Sequence, residues 1–168
     1  EIGSFLDDNP VGRGIHYASP LELGMRALHW LAAVELAGGA AAFARPFVER
    51  LAGALLADGC FLERHLEDRG IVPANHLLGN YVGLWALGLA LDGAPYARAW
   101  QALACRGLAT EAARQVGRDG PHFEASTAYH RFALELMLAA HLWARAADRP
   151  SPVGETLHRM LVYLRNYV

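Results

Sequence analysis

Residues 75–91 read NHLLGNYVGLWALGLAL. After two polar residues, Leu77, Leu78, Val82, Leu84, Trp85, Leu87 and Leu89 fall on nearly every side of a helical wheel. A helix that is apolar all round has no solvent face, so it belongs inside a multi-helix assembly. The neighbouring stretches should therefore be helices that cover it. The Asp92-Gly93 pair ends the run, and Pro95 opens the next segment.

Working outward, the flanking chain carries helical periodicity and no convincing strand alternation. Upstream, Ser19-Pro20-Leu21-Glu22 reads as a helix start, with a Ser cap, Pro in the first turn and Glu three residues after the Ser. That helix runs to about Ala37 on a stripe of Leu23, Ala27, Trp30, Leu31 and Val34, and Gly38-Gly39 stops it. A second helical region spans 43–69, with Asp58-Gly59 as an expected kink or break. A polar end at Arg64 to Arg69 follows, then Gly70 and a short turn at 71–74 containing Pro73. Downstream, helices are predicted over about 95–117, from between Glu124 and Ala128 to Ala147, and from about Val153 onward. Residues 1–18, with Gly3, Pro10, Gly12 and Gly14, read as an irregular lead-in. The expectation is one all-α domain over residues 1–168, built of antiparallel αα-hairpins. Such hairpins close into a bundle, a solenoid or a curved toroid. No clean internal repeat favours an ankyrin- or TPR-like array.

Composition narrows the function classes. The chain has 168 residues, 54% of them hydrophobic and 19% charged, with a net charge of −2. No basic surface advertises nucleic acid, and no apolar run is long enough for a membrane span. Cys60 and Cys105 are far apart in apolar contexts and read as buried thiols. All 15 cationic residues are arginine. Codon bias explains that most simply, although arginine also suits carboxylate recognition.

Polar chemistry concentrates in two places. Asn75-His76 opens the apolar helix: a cap with a first-turn residue, or an amide and an imidazole converging with a helix N-terminus on an anion. Residues 119–131 read DGPHFEASTAYHR, crowding titratable and hydrogen-bonding groups between alanine-rich helices. Tyr129 there is either a rim residue or, beside His130 and Arg131, a phenol suited to acid/base work. His122, Glu124 and His130 match no defensible metal-ligand spacing. Asp119 and Glu124 could pair as glycosidase carboxylates, though Asp119 before Gly120 reads as a turn residue. Arg26 interrupts an apolar stripe, either to pair with an acid or to reach a ligand.

Three motifs in order resemble the heparinase II/III-like polysaccharide lyase family. Asn9-Pro10-Val11-Gly12 through Gly14-Ile15-His16-Tyr17, with Ser19-Pro20-Leu21-Glu22 and Arg26, is similar to its N-terminal motif. Asn75-His76-Leu77-Leu78 resembles its NHLL stretch, and Asp119 to Glu124 with Ser126 and Tyr129-His130 resembles its DGGHFE motif with the following Ser and Tyr-His. Tyr17 stands where the family often has Trp, and Pro121 where it often has Gly.

The resemblance implies part of an (α/α) toroid that binds acidic polysaccharide and belongs to a bacterial lyase acting on uronates by β-elimination. Asn75 and His76 would neutralise the uronate carboxylate, and Tyr129 would be the catalytic acid, able to act as the base as well where both groups lie on one face of the ring. Arg26, Glu124, His130 and Arg131 would line or support the groove. Neither a metal nor an organic cofactor is implied. A C-terminal β-rich domain, absent from these 168 residues, would wall the groove and supply a further histidine. The expected location is periplasmic or secreted. A helical domain that binds acidic carbohydrate without catalysis, or a glycoside hydrolase on the same toroid, are the alternatives.

Overall fold

The computed structural model describes residues 1–68 and 75–167, with side chains through residue 166. It holds α1 (Ile2–Asp8), α2 (Pro20–Leu36), α3 (Arg45–Arg64), α4 (Asn75–Ala90), α5 (Ala97–Gln115), α6 (Thr127–Ala146) and α7 (Gly154–Tyr167). The described residues form no strand; a single isolated bridge joins Val116 to His122. No helix among them is long and apolar enough to cross a membrane.

The helix of residues 75–91 sits at the centre, as its all-round hydrophobicity requires. α4 packs most extensively against α2 and α5, then α6 and α3. Leu78, Leu84, Ala86 and Leu87 are fully buried, and the Trp85 indole donates to the Ala140 carbonyl oxygen of α6 at 3.1 Å. Glycines let α2 and α4 touch backbone to backbone. A Cβ on Gly24 would stand 2.8 Å from the Gly79 carbonyl oxygen, and one on Gly83 would stand 2.5 Å from the Gly24 Cα. This crossing holds the start of α4 close to α2, which bears on the site described below.

Several sequence expectations are corrected. Residues 2–8 of the lead-in form a helix, whose Phe5 ring packs edge-on against Trp30. The α2 start falls where expected, but Ser19 makes no side-chain cap bond. Instead the Leu21 N–H donates to the Glu67 carboxylate at 3.1 Å, and Glu22 turns to His16 at 2.8 Å. Asp58-Gly59 does not break α3, which continues from Arg45 to Arg64. Gly59 is there because a Cβ would collide with the Trp100 ring, and Asp58 is there because it meets Arg26. The helix ends at Arg64, and Glu67 lies beyond it. The expected helix end at Arg69-Gly70 and the turn at 71–74 lie outside the described residues.

Candidate active site

The two polar stretches meet. The Asn75 amide, in the first turn of α4, donates from Nδ2 to both oxygens of Glu124, at 2.9 and 3.1 Å. The two contacts tie the amide to the whole carboxylate rather than to one of its oxygens. Asn75 is 5% exposed, so its orientation is fixed. The Glu124 carboxylate settles which end of the amide faces it.

His76 follows at the same helix start and is exposed. Its Nδ1 lies 3.1 Å from Glu67 Oε1. Asn80, one turn further along α4 and fully buried, clamps Glu67 from the other side. Its Nδ2 donates to Glu67 Oε2 at 2.9 Å, and its Oδ1 accepts from the Glu67 backbone N–H at 2.9 Å. Neither Glu67 nor Asn80 was picked out from the sequence. The signal was an asparagine inside an otherwise apolar run, at i+4 from His76 and therefore on the same helix face.

Residues 116–126 form a tight hairpin between α5 and α6. Gly117 N–H donates to the Pro121 carbonyl at 2.9 Å, and Phe123 N–H to the Gln115 carbonyl at 2.8 Å. Asp119 is exposed in the turn, directly before Gly120 at φ +97°. Ser126 caps α6 by accepting from the Tyr129 N–H at 3.5 Å. Tyr129 therefore stands in the first turn of α6, 51% exposed, on the segment that Glu124 fastens to Asn75.

His130, one residue on, points inward. It is 5% exposed, its Nδ1 accepts from the His122 N–H at 3.3 Å, and its ring lies 5.1 Å from that of Tyr163. His122 is also buried. Gln115 Nε2 donates to Glu111 at 3.0 Å, so Gln115 Oε1 is the acceptor and His122 Nε2 the donor across 3.1 Å. Burial pushes the His122 pKa below its usual value, helped by His130 and opposed by Glu124. These histidines hold the hairpin in shape. Among the described residues no group of three His, Cys, Asp or Glu side chains is placed to hold a metal.

The remaining expected contacts are engaged inside the protein or along a helix. Arg26, foreseen in the groove or against an acid, takes the acid. Its Nη2 donates to both oxygens of Asp58 at 2.9 and 3.1 Å, and Nη1 to the His16 carbonyl at 2.9 Å. Its guanidinium lies 4.7 Å from the centre of the Tyr17 ring, 5.3 Å from Phe5 and 5.5 Å from Trp30. With its side chain 8% exposed and Asp58 1% exposed, this pair is a strut that fixes the N-terminal segment to α2 and α3. Burial raises the Asp58 pKa, and Arg26 pulls it back. Arg131 is exposed and pairs with Glu135 one turn along α6 at 3.3 Å.

Two sizeable concavities are present, and the second reaches one predicted site residue, His130. One, of about 630 Å³, is apolar and includes Leu36, Leu89 and Trp143. The other, of about 680 Å³, runs between the hairpin and α7 past His122 and Tyr163. Neither is lined by Asn75, His76 or Tyr129.

The described residues thus form an all-α array of helices, with an amide and an imidazole at one helix start tied to a tyrosine-bearing helix start. The chain belongs to the heparinase II/III family: residues 9–166 match the model described as heparinase II/III N-terminus. No curated protein matches the chain. Solved structures share the fold. The heparan sulfate lyase HepC from Pedobacter heparinus superposes with a TM-score of 0.70 at 23% identity, covering 97% of this chain and 26% of that one. A mutant of the same lyase gives 0.71 at the same identity and coverage. A heparinase III gene product with methylated lysines gives 0.70 at 20% identity, covering 96% of this chain and 28% of that one. The chain thus spans about a quarter of the length of these structures.

Proposed function

We propose that this domain provides part of the active site of a polysaccharide lyase that cleaves uronate-containing chains by β-elimination. The observation that carries the reading is the Asn75–Glu124 contact. It sets an oriented amide donor at the N-terminus of a 16-residue helix, next to His76 and to the helix bearing Tyr129. A helix N-terminus favours an anion. Membership of the heparinase II/III family points the same way.

The uronate C5 proton is only weakly acidic while the adjacent carboxylate keeps its charge. Donors from Asn75 and from the protonated form of His76 would offset that charge and stabilise the enolate-like transition state, as an oxyanion hole does. A base takes the C5 proton, the electron pair forms the C4–C5 double bond, and the C4–O4 bond breaks. Tyr129 gives its proton to the leaving O4. The half-exposed phenol suits a group that must reach a bound chain. The base and the opposite wall of the groove would come from further chain, such as the β-rich domain implied by the resemblance. Because its substrate is a polymer, the enzyme would work outside the cytoplasm, in the periplasm or medium.

The hydrolase alternative has less support, since Asp119 sits in an exposed turn and the Glu124 carboxylate is occupied by Asn75. The test is to incubate the lyase containing this domain with heparan sulfate, alginate and other polyuronates, following the ultraviolet absorbance of the unsaturated product. Absorbance should rise on one substrate and disappear in Tyr129→Phe, with binding of the chain retained. New reducing ends without that absorbance would establish hydrolysis instead. Saturable binding with neither product would establish a binding domain.

A further inference from the structure

His76 is held from a direction that the motif alone does not reveal. The Glu67 carboxylate receives three donors: the Leu21 N–H at 3.1 Å and Asn80 Nδ2 at 2.9 Å on Oε2, and His76 Nδ1 at 3.1 Å on Oε1. Its backbone N–H is held by Asn80 Oδ1 at 2.9 Å. Asn80 is fully buried, and its two contacts with Glu67 fix the carboxylate in position and orientation. A carboxylate accepts and cannot donate, so the Nδ1 facing it carries the proton. Among the described residues His76 Nε2 has no hydrogen-bond partner, and the side chain is 49% exposed.

We propose that Glu67 is the positioning residue of the candidate site, fixing His76 as the Nδ1–H tautomer so that Nε2 is the nitrogen offered to the ligand. The inference rests on the lyase reading only for what that ligand is. When neutral, the ring presents Nε2 as an acceptor. When protonated, it presents Nε2–H to the uronate carboxylate, with Glu67 balancing the charge behind it. Asn80 locks Glu67, Glu67 locks the ring, and the same carboxylate caps the start of α2. Second partners of this kind, which fix a tautomer through the other ring nitrogen, are a general way to aim a histidine.

The test reads the tautomer directly. The full chain is labelled with 15N-histidine, and long-range 1H–15N correlations of the imidazoles are recorded at a pH where the rings are neutral. His76→Gln removes one set of signals and so assigns it. The expected wild-type pattern is a protonated Nδ1 and an unprotonated Nε2, the minor form of a free histidine. Glu67→Gln keeps an oxygen for Leu21 N–H and Asn80 but turns an amide N–H toward Nδ1. The ring should then switch to the Nε2–H form. A wild-type His76 in the Nε2–H form, or an averaged mixture, overturns the proposal without needing any variant. So does a folded Glu67→Gln chain whose His76 pattern is unchanged. The readout is independent of turnover. The Nδ1–H pattern in a protein that yields no unsaturated product supports the positioning by Glu67 while removing the lyase reading. The wrong tautomer in an active lyase does the reverse.

Discussion

Replacing Arg26 with methionine keeps much of the aliphatic stem and removes the charge beneath three aromatic rings. What remains is Asp58, 1% exposed, with its Arg26 bonds gone. A buried unpaired carboxylate has one escape, which is to bind a proton. Its ordinary pKa is 3.8. Holding the acid form at pH 7 therefore costs about 4 kcal/mol, at about 1.4 kcal/mol per pH unit. That figure caps the electrostatic penalty, and it agrees with the roughly 3–5 kcal/mol typical of breaking a buried pair. For a chain of this size the loss corresponds to a melting temperature lower by about 8–16 °C. The sign with pH follows. Burial already raises the Asp58 pKa in the native protein, and removing Arg26 raises it further. The folded variant then holds a proton that the unfolded chain has lost, so its stability falls as pH rises above 3.8 toward the new folded value. At pH 5 the deficit should shrink to about 2 kcal/mol. Arg26→Met with Asp58→Leu should recover most of the loss, because apolar replacement of a whole buried pair is often neutral. Urea unfolding at several pH values measures all three proteins. A deficit below about 1 kcal/mol at pH 7, or one that does not change with pH, would refute the strut and return Arg26 to the groove.

Three other outcomes are expected. Gly83→Ala gains about 1 kcal/mol of helix propensity, but its Cβ would stand 2.5 Å from the Gly24 Cα. Parting α2 from α4 by about 1 Å should leave a net loss of about 1–2 kcal/mol by denaturant midpoint; a stabilised variant would show that the crossing is looser than described. His122→Gln should flatten the acid side of the stability curve. His122 has its pKa lowered from 6.5 by burial, so the unfolded chain takes up a proton first and native stability falls below pH 6.5 by up to about 1.4 kcal/mol per unit; equal slopes in both proteins would contradict this. Asn75→Ala should cost about 1–2 kcal/mol, since Glu124 loses its partner but is only partly buried. On the proposed lyase reading, the same change in the whole enzyme should lower kcat about 10²–10³-fold, measured by the unsaturated product; unchanged turnover would remove Asn75 from the mechanism.

Helix positions follow from local causes, and the sequence carried them. Apolar spacing, Pro20, Gly38-Gly39 and Asp92-Gly93 mark the boundaries of α2 and α4 within a residue or two. The exceptions are informative. Residues 2–8 fold as a helix because Phe5 finds Trp30 and the Arg26 guanidinium, partners 21 or more positions away that no local pattern contains. Asp58-Gly59 looked like a breaker because Asp and Gly favour turns in isolation, whereas here Arg26 satisfies the acid and Trp100 needs the missing Cβ.

The same division holds for the site. Sequence alone determined an all-α chain with the helix of residues 75–91 in its interior, and its motifs marked Asn75, His76 and Tyr129. These depend on periodicity and on residues adjacent in the chain. Only the tertiary structure decided which polar groups the fold pairs internally and which stay exposed. Asn75 meets Glu124 across 49 positions, Glu67 meets Leu21 across 46, and Arg26 meets Asp58 across 32. His130 and Tyr129 are neighbours in sequence, yet the helix turns one into the core and the other to solvent. A buried polar group must be paired, and the choice of partner is made by packing between distant segments, which the order of residues does not display.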